Sequence, residues 1–208
     1  MHPVLIDVPM PIRTPRLLIR PKQVGDGEIT SAAVAETWDD LHKWMRWAEN
    51  PDHFTAESME IRTRQVMASF LLREGIELMG IETATGAAVI WCGLHDIDWQ
   101  GRTCDTGCWV RKGAQGRGFA TEATNALVRY ALGALAMRRV GLTHSEGNEA
   151  SRRIAERLGF SHEGVQRGAN VLPGGKYADR CCYARFDLIG LPDLNVEWGT
   201  DHTNRDFN

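Results

Sequence analysis

The chain has 208 residues, 43% of them hydrophobic and 25% charged, with a formal net charge of −3. That length suits one domain with a substantial core, and the composition is ordinary for a globular protein. The slight negative charge argues against a general nucleic-acid binder, which needs a basic face, and no apolar run nears the ~20 residues of a membrane span.

Met1-His2-Pro3 lacks the basic and apolar regions of a secretory signal. The five cysteines, Cys92, Cys104, Cys108, Cys181 and Cys182, show no C-x-x-C spacing for zinc. They are expected to be reduced, largely buried thiols of a cytoplasmic protein, with no metal site and no membrane or nucleic-acid partner.

In chain order, residues 13–21 read as a first strand bounded by prolines. A helical region is expected over residues 28–47, carrying Trp38, Leu41, Trp44, Met45 and Trp47. Asn50-Pro51 ends it, because proline disfavours helix in the residue before it. Thr55 caps the next helix, with Glu57 and Glu60 in its first turns and Met59, Val66, Met67, Phe70 and Leu71 on one face.

Residues 76–83 and 87–97 form a hairpin of apolar strands around Ala84-Thr85-Gly86. Asp98-Trp99-Gln100-Gly101-Arg102 turns the chain into a strand over 103–111. Phe119, Ala120, Ala123, Ala126, Leu127, Tyr130, Ala131, Ala134 and Leu135 then recur at helical spacing. A strand over 139–144 follows, then a short helix over 148–158 capped by Asn148 and ended by Gly159, then strands over 160–167 and 180–188. The order β-α-α-β-β-β-α-β-α-β-β predicts an α+β domain, a mostly antiparallel sheet with helices on its faces. Residues 1–190 are expected to form that single domain, and 191–208 a polar tail lying on the surface or against a neighbour.

Between the strand over 103–111 and its helix lies Arg111-Lys112-Gly113-Ala114-Gln115-Gly116-Arg117-Gly118-Phe119-Ala120-Thr121-Glu122. The glycines let backbone approach a ligand closely. Unpaired N–H groups and the positive end of the helix dipole meet there, which suits a phosphate or pyrophosphate, and Arg111, Lys112 and Arg117 add positive charge. Gly118 is followed by Phe119-Ala120 rather than Lys-Ser/Thr, which fits a P-loop poorly, and the third glycine of a dinucleotide fingerprint is missing. The pattern Gln115-x-x-Gly118-x-Ala120, preceded by Trp109-Val110-Arg111, instead resembles the acyl-CoA pyrophosphate loop of the GNAT N-acetyltransferase superfamily. Leu41-His42-Lys43-Trp44-Met45-Arg46-Trp47-Ala48, Gly93-Leu94-His95-Asp96-Ile97-Asp98-Trp99, Gly107-Cys108-Trp109-Val110 and Asn148-Glu149-Ala150-Ser151 resemble its RimJ/RimL branch, which acetylates the N-termini of ribosomal proteins. The resemblance spans residues 15–188.

It implies the GNAT fold, a mixed, mostly antiparallel sheet splayed where acetyl-CoA binds, with helices on both faces. The pyrophosphate would lie on Gln115, Gly116, Arg117, Gly118, Phe119, Ala120 and Thr121, and the pantetheine arm along the backbone of Trp109, Val110 and Arg111. Asn148 would hydrogen-bond that arm, Ser151 would sit beside the thioester sulfur, and Trp44, Trp47, Asn170 and Tyr177 would wall the acceptor pocket. The implied reaction is acetyl transfer to a primary amine, of a protein N-terminus or a small molecule, by direct attack on the thioester. A homodimer is a further expectation, and a non-catalytic acyl-CoA sensor is the alternative.

The chain departs from the branch at two places. Cys108 stands where the branch often carries Tyr, and Asn170, nineteen residues beyond Ser151, stands where RimL-like enzymes place a glutamate proposed as base. An α-amino group with a pKa of about 7.7–8.0 is already partly neutral at pH 7, unlike a lysine near about 10.4. An α-amine acceptor therefore asks less of a base. His144 and Asp96 are the candidate proton acceptors, ahead of Glu49, His95 and Glu146.

Overall fold

The computed structural model describes residues 2–199. Strands β1 (Ile12–Arg13) and β2 (Leu17–Pro21) are followed by helices α1 (Asp26–Trp44) and α2 (Ala56–Leu72). Then come β3 (Ile76–Glu82), β4 (Ala88–Asp98), β5 (Thr103–Val110), α3 (Phe119–Gly133), β6 (Arg139–Ser145), α4 (Glu149–Arg157), β7 (Ser161–Val171), β8 (Tyr177–Arg185) and β9 (Glu197–Trp198). The strands make one sheet in the order β7-β8-β6-β5-β4-β3-β2-β1-β9. Every neighbouring pair is antiparallel except β5 with β6.

Local chemistry sets the helix ends. Thr55 accepts a hydrogen bond from the Ser58 amide at the start of α2, and Asn148 does the same for the Ser151 amide at the start of α4. The helix expected over residues 28–47 stops earlier, at Trp44: its last i to i−4 bond runs from the Met45 amide to Leu41, after which Ala48 turns back onto Met45 and is buried. Trp47 therefore lies in a turn, outside helical spacing. The first expected strand is broken into β1 and β2 by a turn at 14–16, where the Thr14 amide bonds to the Leu17 carbonyl.

One apolar layer lies between the sheet and α3 with α4, and includes Ile19, Leu78, Ile90, Leu94, Leu127, Leu142 and Leu158. On the opposite face Ala33 of α1 packs with Met79, Ala88, Trp91 and Trp109. There Trp91 stacks on Trp109 at 4.3 Å and donates its indole N–H to Thr30. Part of the expected tail joins the sheet. Leu191 is buried, β9 pairs with β1, and Trp198 meets Tyr130 edge-on at 5.8 Å. Residues 200–208 lie outside the described residues, among which no helix is long and apolar enough to cross a membrane.

Candidate active site

The parallel pair is the weak seam of the sheet. β5 and β6 are in register only at Thr103 with Arg139, Cys104 with Val140, and Asp105 with Gly141. Beyond that point β5 keeps to β4 while β6 keeps to β8, so residues 106–110 lose their partner on one edge. A cavity of about 690 Å³ fills the opening. Its walls are β5 from Thr106 to Val110, the end of β6, α4, the loop before α3, and the last turns of α1.

The loop enters α3 through Gly116 and Gly118, at φ 74° and 85°, a left-handed backbone that suits glycine. Gly118 is the N-cap and carries no side-chain cap, and the first bond of the helix runs from the Glu122 amide to the Gly118 carbonyl. Among the described residues, the six N–H groups of residues 116–121 have no partner. The helix start is held instead by Glu122, whose buried carboxylate accepts from Thr14 Oγ1, the Arg16 amide and Arg16 Nε. Arg16 in turn donates to the Arg117 carbonyl at 2.8 Å. Free donors converging at a helix N-terminus form an anion site.

The positive charge expected at this loop is already spent. Arg111 pairs with Glu36 at 2.5 Å, Lys112 with Asp40 at 2.6 Å, and Arg117 with Glu82. Hydrogen bonds from Arg111 and Lys112 hold the Glu36 and Asp40 carboxyls below their usual range. The backbone of Arg111 is also occupied, its N–H by Val89 and its carbonyl by Ala114. Arg111 and Arg117 therefore lie off the cavity, whereas Trp109, Val110, Gln115, Gly116, Gly118, Phe119, Ala120 and Thr121 line it.

Asn148, Ser151, His144, Trp44 and Asn170 also line the cavity; Asp96, Trp47 and Tyr177 do not. Tyr177 is 72% exposed at the start of β8, and Trp47 packs on Phe54 and Trp109. Asp96 faces solvent, with its carboxylate 3.1 Å from Nδ1 of His95, and it is His95 that lines the cavity. His144 is buried. Its Nδ1 donates to the Ser145 carbonyl at 2.9 Å, and its Nε2 has no partner among the described residues. Asn170 donates to Ser145 Oγ at 2.9 Å and accepts from Arg180 Nε at 2.7 Å, so its amide is a bridge rather than a base.

The family model for the acetyltransferase (GNAT) domain matches residues 16–161, which contain the splayed seam, the free amides and most of the cavity. The chain belongs to the GNAT acetyltransferases. Its reaction class is acetyl-CoA-dependent N-acetylation. YdaF of Bacillus subtilis (strain 168), provisionally named a ribosomal N-acetyltransferase, is 33% identical over 87% of this chain and 91% of its own. A solved structure named as a probable acetyltransferase superposes with a TM-score of 0.77 at 28% identity, over 83% of this chain and 94% of that one. RimL, a ribosomal L7/L12 α-N-protein acetyltransferase solved in complex with coenzyme A, shares the fold with a TM-score of 0.72 at 23% identity, over 88% of this chain and 98% of its own.

In this GNAT member the cavity also holds groups that sequence reasoning passed over. Ser145 is buried at the end of β6 and is oriented by Asn170, a contact between positions 25 residues apart that no local motif announces. Cys108 lines the cavity near Thr124, and burial pushes its thiol up to about 11. It is therefore a protonated thiol at neutral pH and a poor covalent nucleophile.

Proposed function

We propose that the protein moves an acetyl group from acetyl-CoA to a primary α-amine by direct attack, with a protein N-terminus as the acceptor of choice. The observation that carries this reading is that the open edge of β5 and Gly116, Gly118, Phe119, Ala120 and Thr121, whose amides are free, line one cavity. The amides and Gln115 suit a pyrophosphate, and the backbone of Trp109 and Val110 suits an amide-bearing arm reaching toward β6. Asn148 has its Oδ1 engaged with the Ser151 amide, which leaves its Nδ2 for the same arm.

Direct attack agrees with the state of Cys108, the thiol lining the cavity, which burial holds protonated. The neutral amine attacks the thioester carbonyl, the C–S bond breaks, and the thiolate, with a pKa of about 8.5 for an ordinary thiol, takes a proton. In this reading Ser151, on the first turn of α4, donates a hydrogen bond to the departing sulfur, and unpaired amides of β5 steady the oxyanion. Asp40, the carboxylate lining the cavity, is bound to Lys112 and Gln115 and is not free to act as a base. That favours an α-amine, which needs less help in losing its proton than a lysine does. The name of YdaF points the same way, toward ribosomal proteins and hence toward the cytoplasm.

Thermal unfolding with acetyl-CoA, CoA, ATP or NAD tests the cosubstrate. At a hundredfold excess over Kd, binding adds about 2.7 kcal/mol, which raises the midpoint by several degrees in a chain of this size. The two CoA ligands are expected to shift it and the others not. Mass spectrometry of peptides with free or blocked N-termini and internal lysines then tests the acceptor. Acetylation of lysine in N-terminally blocked peptides at the same rate would overturn the α-amine reading.

A further inference from the structure

We infer that His95 is the general base of the transfer and that Asp96 is its positioning residue. The inference rests on the acetyl-transfer reading above. His95 ends the regular part of β4, opposite Asp105, and the pairing resumes only at Asp98 with Thr103, so β4 carries one extra residue between those pairs. Asp96 takes the left-handed backbone there, with φ 50°, which is uncommon for a side-chain-bearing residue and worth a functional reading where it is observed. The bulge turns the Asp96 carboxylate back onto His95, with Oδ2 3.1 Å from Nδ1. A carboxylate in that place accepts the Nδ1 proton and fixes the tautomer whose Nε2 carries the lone pair.

That Nε2 stands over Gly107, close enough that a Cβ on the glycine would come within 3.2 Å of it. Gly107 belongs to the stretch of β5 that has lost β6, and both residues line the cavity. The ring is half exposed, at 50%, so a proton taken from the cavity side has a path to bulk water. His144, the other imidazole lining the cavity, differs on this point. Its Nε2 is closed off from solvent, and its ring stacks on Tyr183 at 5.5 Å. The charged groups beside His95 are Asp96 and its cross-strand partner Asp105, ion-paired with Arg139, and Asp40 of α1, paired with Lys112, lines the same cavity.

In the step, the amine nitrogen forms the bond to the thioester carbon and gives one proton to His95 Nε2. The C–S bond breaks, with its electron pair on sulfur, and the imidazolium is balanced by Asp96 until the proton leaves to water. An acceptor arriving as ammonium loses its first proton by the same route.

The test compares wild type with His95→Gln, Asp96→Asn and His144→Gln in initial rates on an alanine-terminated peptide across pH, with CoA affinity by calorimetry as the control. His95→Gln should lower kcat at least thirtyfold across the profile, with KM for the peptide little changed and CoA still bound. Asp96→Asn should lower kcat by a smaller factor with KM for the peptide little changed, a split that loss of the fold would not produce. Proton–nitrogen NMR should find the neutral His95 ring protonated on Nδ1 in wild type and redistributed in Asp96→Asn. A His95→Gln rate matching wild type overturns the dyad alone, as does a loss of kcat in His144→Gln only. A wild-type protein that binds CoA and acetylates no amine overturns the transfer reading and the dyad with it.

Discussion

At Ser151 two functions meet on one turn of helix. Its amide caps α4 through Asn148 Oδ1 at 3.2 Å, while its hydroxyl has no partner among the described residues and lies on the cavity wall. The cap survives removal of the hydroxyl, because it uses the backbone. Ser151→Ala should therefore fold and bind CoA as before, yet turn over at least tenfold more slowly, which corresponds to about 1.4 kcal/mol of barrier. Rates near wild type on an N-terminal peptide would end the role. Asn170 carries a different lesson. Sequence position placed it where a carboxylate was expected, and the structure shows the amide held between Arg180 and Ser145, so its identity serves orientation.

The loop before α3 is read better as an element than as a string of charges. Gly118→Ala would force a β-carbon into φ 85°, at a cost of roughly 1–2 kcal/mol, and bring that carbon within 3.4 Å of Arg16 Nη2, beside the contact that holds the helix start. Gly175→Ala is a matched control, since it sits at φ 73° with nothing within 4 Å of the added atom. Both variants should lose a few degrees of melting temperature, and only Gly118→Ala should lose affinity for acetyl-CoA by calorimetry. Equal affinities would show that the free amides are not the anion site. The glycines, the helical period of α3 and the caps at Thr55 and Asn148 were legible because each is written within a few residues. The neutralisation of Arg111, Lys112 and Arg117 was not, because their partners lie 75, 72 and 35 residues away and only the fold brings them together. The bulge that aims Asp96 at His95 was hidden for the same reason, since it is a mismatch between two strands and not a property of either.

Across the whole molecule, the C-terminal stretch closes a circuit that composition concealed. Polar residues and a strand of two residues give no periodic signal, yet 191–199 run back along α3 to the first strand. The Pro192 carbonyl accepts from Asn125 Nδ2 at 2.8 Å and from Arg129 Nη2 at 3.0 Å, Leu191 is buried, and Trp198 packs against Tyr130 in the same helix. These residues hold α3 from the end opposite the free amides. A chain ended after Gly190 loses two apolar anchors, each worth about 1.5–3 kcal/mol when fully buried, and leaves Asn125, otherwise buried, without an acceptor for its amide. At about 2–4 °C per kcal/mol for a chain of this length, its midpoint should fall by roughly 10 °C relative to the full chain. If the shorter chain melts like the longer one, α3 is anchored by the sheet alone and residues 191–199 are an accessory to the domain. If it melts early, CoA should recover part of the loss, because the ligand and the C-terminal stretch would then be stabilising the same helix from its two ends.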